Sequence, residues 1–123
     1  MQTLLNTNHV AQGAIAAYRI VKPGTADGTL AQAAAATDAL IGVMESLSPL
    51  DGERCDAIRS GIARVQFGGT VVAGDPVTAD ASGMGIKAAP AAGSNVRIIG
   101  FAEVAAVAGD IADVLIAPGV MQG

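Results

Sequence analysis

The residues able to do chemistry are few and scattered. His9 is the single histidine and Cys55 the single cysteine. A thiol nucleophile needs a base and an orienting group, and His9 lies far from Cys55 along the chain. A metal site needs several ligands at suitable spacing, and none flanks His9 among its neighbours Asn6, Thr7, Asn8 and Val10. Glu45, Glu53 and Glu103 stand on separate segments, and most aspartates sit beside Gly or Pro, so no carboxylate pair is set up for acid–base work. Ser46, Ser48, Ser60, Ser82 and Ser94 fall mostly at turn positions, with no Gly-x-Ser-x-Gly elbow. Phe67-Gly68-Gly69-Thr70 lacks the lysine and following helix of a phosphate loop. These residues argue against an enzyme and name no catalytic, cofactor or metal site.

Lys87 supports a different reading. It follows Gly83-Met84-Gly85-Ile86 at a turn, as the modified lysine does in small β domains that carry lipoate or biotin. Those domains place Asp or Met directly before the lysine, and Ile86 stands there instead. A carrier or small ligand-binding barrel is thus the alternative to a protein that works by binding other protein.

The elements that would position these groups are strands. From Arg54 to Gly119 the chain alternates apolar runs with Gly-Gly, Gly-Asp-Pro and Ser-Gly turns, which describes a compact all-β body, barrel- or sandwich-like. Ala63, Val65 and Phe67 alternate with Arg64 and Gln66, the pattern of a half-buried strand. Strands are expected at 14–21, 30–35, 40–46, 54–60 and 62–68, the last two joined near Gly61. Shorter pieces follow at 71–73, 77–78 and 86–88, with 96–102 and 114–117 closing the fold. The Ala-rich stretch 30–39 has helical composition, but its strand-like neighbours favour a strand at 30–35 followed by a turn or single helical turn at Thr37–Ala39. Val72-Ala73-Gly74-Asp75 echoes Val107-Ala108-Gly109-Asp110, one bend used twice. Residues 1–12 show no sustained period and read as a flexible N-terminal arm, followed by a β-rich domain at 13–123.

Composition narrows the partners. The formal net charge is −4, with Lys and Arg scattered singly, and a nucleic-acid surface needs clustered basic residues. No apolar stretch is long enough to span a membrane, and residues 1–10 do not read as a secretory signal. The lone cysteine permits no intrachain disulfide and suits a reducing compartment, the cytoplasm. The aromatics are Tyr18, Phe67 and Phe101, in a chain dominated by Ala and Gly. Small side chains gain little on burial, so association between subunits is expected.

The polar arm ending Thr7-Asn8-His9 leads into Gly13-Ala14-Ile15, then Ile41-Gly42-Val43 and the Gly68-Gly69 and Val71-Val72-Ala73-Gly74-Asp75-Pro76-Val77 block. Ile99-Gly100-Phe101-Ala102-Glu103 and Val114-Leu115-Ile116-Ala117-Pro118-Gly119 complete the series. The order and spacing of these words resembles the small capsid decoration, or cement, proteins of tailed phages. That resemblance implies a homotrimer on the outer surface of the virion, at local threefold sites of the expanded head, where it binds the major capsid protein and stabilises the shell. It implies that the arm makes the contact, so Leu4, Leu5, Asn6, Asn8 and His9 are the candidate capsid-binding residues. Removing Thr3–Val10 is then expected to abolish binding and leave the body folded.

Overall fold

A computed structural model describes residues 3–123, and all regular structure in them is strand. The strands are β1 (Thr3–Ala11), β2 (Arg19–Pro23), β3 (Thr29–Gln32), β4 (Gly42–Met44) and β5 (Arg54–Gln66), then β6 (Pro76–Ala79), β7 (Gly85–Lys87), β8 (Asn95–Ala102) and β9 (Ile111–Gln122). They form one nine-stranded mixed sheet in the order β1-β3-β2-β4-β5-β9-β8-β6-β7. The all-β expectation holds.

The sheet closes twice. β1 pairs with β5 as well as β3, so β1-β3-β2-β4-β5 is a ring. Phe67, just past β5, bridges to Gly85 on β7, which brings the far end of the sheet back to β5. The 13-residue β5 belongs to both rings. Its first half pairs with β1, and Gly61–Gln66 pairs with β9. At the changeover Gly61 has φ +93°, a conformation that a Cβ disfavours. The two short strands expected to meet near Gly61 are thus one long strand bent at that glycine.

Two cores fill the rings. Val21, Leu30, Met44, Cys55 and Ala57 belong to the smaller core, with Ala11 and Ile15. Ile20, Val43 and Ile58 join the larger one with Val65, Phe67, Val77, Ile99 and Val114. Neighbours such as Ile20/Val21 and Val43/Met44 face opposite ways because side chains alternate across a strand. Both are buried here because core lies on either side of the β2-β4-β5 layer. This explains contiguous apolar pairs where a half-exposed strand would alternate.

The repeated Val-Ala-Gly-Asp bend reflects a larger symmetry. Val72 and Val107 N–H each donate to the Asp three residues on, Asp75 Oδ2 and Asp110 Oδ2, both at 3.0 Å. Val71 and Ala106 exchange backbone bonds at 2.9 and 3.1 Å. Around them Gln66 pairs with Ile111 and Phe101 with Pro76, at matching positions of the two copies. Residues around the two bends therefore form interleaved strand–bend–strand units related by a pseudo-twofold axis.

Several boundaries differ from expectation. Residues 3–11 of the expected arm are strand β1, held by antiparallel pairing to β5 from Thr3↔Gly61 to Val10↔Arg54. Residues 14–18 are not strand. Tyr18 adopts a left-handed φ of +60°, donates its N–H to the Glu45 carbonyl at 2.6 Å, and breaks the extended run before β2. The Ala-rich segment is strand only to Gln32. Asp38 then accepts bonds from Ala34 and Ala35 N–H at 2.8 and 3.1 Å and pairs with Lys22 at 3.2 Å, which folds a turn.

Candidate docking edge

The candidate contact residues lie together on β1, beginning with its backbone. Ala11 N–H donates to Glu53, whereas Val10 N–H donates to Gly28 and Gln12 N–H to Leu30. Odd-numbered residues therefore direct their amides toward β5, and even-numbered ones toward β3. β3 reaches only Val10 and Ala11. Among the described residues no strand pairs with that second edge of β1 before Val10, the edge on which the pairing with β5 places the N–H groups of Asn6 and Asn8. β1 is a closed strand at its C-terminal end and an open edge before it.

The side chains divide between holding β1 and standing free. Asn8 Nδ2 donates to Asp56 Oδ1 at 2.9 Å, and Arg54 Nη1 donates to Asn8 Oδ1 at 2.7 Å, so this amide clamps β1 to β5. Leu4 and Leu5 are 78% and 49% exposed, an apolar tip without cover from the described chain. A Leu4 bulge breaks the register there, between Thr3↔Gly61 and Leu5↔Ser60. Asn6 borders a depression of about 110 Å³ with Glu45, Leu47 and Asp56 over Met44 and Ile58. That is below the roughly 300 Å³ at which small-molecule sites begin. Burial pushes the Glu45 carboxyl up, with Asp113 adding to it and Arg64 opposing.

His9 is the residue whose surroundings the sequence did not reveal. It is in direct register with Cys55, so the lone histidine and lone cysteine are neighbours on one face despite their separation along the chain. A pairing of β1 with β5 would have been needed to see it. The pair is not poised for catalysis. Cys55 is buried, and burial followed by the Asp56 charge pushes its thiol up, away from the thiolate. Burial and then Arg59 hold the His9 imidazole below its ordinary value, against a smaller opposing effect of Asp56. The ring nitrogen Nε2 is hydrogen-bonded to Thr7 Oγ1 at 2.5 Å. Lys87, at the end of β7, lies 3.9 Å from Asp75.

No family model matches the sequence, and no curated protein matches it. Among solved structures, the head fiber gp8.5 N base of bacteriophage phi29 matches with a TM-score of 0.70 at 18% identity, covering 92% of this chain and 93% of that one. The two chains share a fold. Coverage of nearly all of both chains means that the head-fiber base shares the joined arrangement and not one ring of it. At that identity, side-chain sites are argued from this chain alone.

Proposed function

We propose that this chain is a structural virion protein that decorates a tailed-phage head. It seats as a homotrimer at local threefold sites on the outer surface of the expanded shell, and β1 carries the contact with the major capsid protein. The observation that carries this reading is the fold shared with a phage head-fiber base over nearly the whole chain. The order of sequence words that resembles cement proteins supports it independently.

The open edge suggests how the contact works. An unpaired strand edge is a template for another extended segment, with main-chain bonds supplying affinity and side-chain pockets selectivity. Asn6 and Asn8 offer the backbone groups, and Leu4 and Leu5 the apolar tip. A protein that binds the expanded shell and not its precursor stabilises that state by mass action.

The test is the amount of this chain, relative to the major capsid protein, in density-purified particles. Roughly equimolar incorporation is expected for a shell-covering cement, and absence would refute the reading. Deleting Thr3–Val10 is not a clean probe of the contact, because it would strip the register partners of β5 and uncover Cys55 and Ala57. Asn6→Pro combined with Leu4→Asp is better. The amide lost is one that faces the open edge, where proline is tolerated. The variant should fold and fail to bind heads, and unchanged occupancy would move the contact away from β1.

A further inference from the structure

The outer face of the second ring carries an apolar stripe. Ile62 on β5 is in register with Leu115 on β9, Leu115 with Phe101 on β8, and Phe101 with Pro76 on β6. Register partners share a face, so these side chains line up across adjacent strands over about 14 Å at the usual strand spacing. Leu115 and Phe101 remain 40% and 39% exposed. Ile111, on the same face of β9 as Leu115, is 46% exposed. A concavity of about 450 Å³ opens beside Ile111, Arg64 and Asp113.

A charged row runs alongside. Arg64 on β5 is opposite Asp113 on β9, and Glu103 N–H, just past β8, donates to the Asp113 carbonyl at 3.0 Å. The ion pairs found among the described residues, Lys22–Asp38 and Lys87–Asp75, involve none of these three. The Arg64 guanidinium, near the Glu45 carboxyl as well as Asp113, therefore stands on the β5 side of the face and the Glu103 carboxylate on the β8 side.

We propose that this face is where copies of the chain meet. The inference rests on the homo-oligomeric part of the function proposed above and locates its interface. The charge order argues for a second copy as the occupant. Around an axis running along β9, the β5 side of one copy meets the β8 side of the next, which brings Arg64 against Glu103 and Ile62 against Phe101. Leu115 then lies nearest the axis, and Asp113 stays across from the Arg64 of its own chain. An apolar centre with a complementary charged border is the usual anatomy of such a contact, and closed rotation satisfies every copy equally.

The test is molar mass by sedimentation equilibrium for the wild type, Leu115→Asp, Arg64→Glu, Glu103→Arg and the double charge reversal. The wild type should be an oligomer and Leu115→Asp a monomer. Each single reversal should weaken association by roughly tenfold or more, since like charges then face each other, and the double reversal should restore it. This rescue carries the test even if Leu115→Asp does not fold. Leu50→Asp, a control on a loop before β5, should keep the wild-type mass. An oligomeric wild type whose face variants all remain assembled overturns this interface and leaves head decoration standing. A monomeric wild type at every concentration overturns the homo-oligomer and this interface with it, while incorporation into particles still judges head binding separately.

Discussion

Gly100 marks a close approach of β8 to β9, and Gly100→Ala tests what that approach is worth. A Cβ at this position would overlap the Leu115 carbonyl oxygen and lie 2.8 Å from its carbonyl carbon and 3.0 Å from the Ala117 nitrogen. All three are backbone atoms, so no change of rotamer relieves the clash, and the two strands must separate locally. The site is already irregular, with a register shift between Ile98 and Gly100. Overpacking costs about 1–3 kcal/mol. Loss of two ladder hydrogen bonds adds about 1 kcal/mol each, for a total of about 3–5 kcal/mol. For a domain of this size that lowers Tm by about 12–20 °C. Gly109→Ala is the comparison, because Gly109 has φ +92° but nothing within 4 Å of its Cβ position. Its cost is the left-handed penalty alone, about 1–2 kcal/mol. Thermal and urea unfolding of both variants would decide. A Gly100→Ala protein within 1 kcal/mol of the wild type, or more stable than Gly109→Ala, would refute the reasoning.

Thr78 is 3% exposed, and its hydroxyl has no hydrogen-bond partner among the described residues. Thr78→Val keeps the shape and removes the orphaned group, so urea unfolding should show a gain of about 1 kcal/mol; a loss would mean that the hydroxyl is satisfied in solution. Asn8→Ala removes both bonds of the β1–β5 clamp and should cost about 1 kcal/mol, with faster amide exchange at His9 and Cys55 as the local readout. The His9 imidazole is held below its unfolded value, so below neutrality the unfolded chain binds protons that the folded one resists. Stability contributed by His9 is present above pH 6.5 and is lost as pH falls through the lowered folded value. His9→Gln should flatten the pH dependence of unfolding in that window, and an unchanged profile would assign it to other groups.

Strand content was legible in the sequence because it is local. Alternation from Ala63 to Phe67 marked the second half of β5 and the residue just past it, and the Val-Ala-Gly-Asp echo marked two equivalent bends. What could not be read depends on pairing between distant segments. β1 has no period to betray it, because Asn6 and Asn8 are polar on one face while Thr7 and His9 are polar on the other. Its order comes from β5, almost fifty positions away at the Asn8–Asp56 bond. The meeting of His9 and Cys55 was invisible for the same reason. Gly61 looked like a break between strands because a positive φ normally ends one. Here Thr3 pairs with it on one edge and Ile116 on the other, which carries the strand through. The interleaved symmetry likewise shows only once Gln66–Ile111 and Phe101–Pro76 are recognised as the same pair.

The two proposed surfaces depend on each other in a way that can be measured. A single β1 edge offers few backbone groups, and ordering a partner segment against it costs about 1–2 kcal/mol per residue. One copy should therefore hold a shell weakly. Copies joined through the Leu115–Phe101 face bind together, and linkage of that kind raises avidity by about 10²–10⁴-fold without a new contact. Leu115→Asp should thus lose head occupancy although its β1 is intact, whereas Asn6→Pro with Leu4→Asp should lose occupancy and keep its mass. Raising the concentration of the Leu115→Asp protein should recover part of its binding, because only the linkage is gone. The β1 variant should not recover, because the contact itself is gone. If both variants respond to concentration alike, the edge and the face are not separate surfaces, and one of the two assignments is wrong.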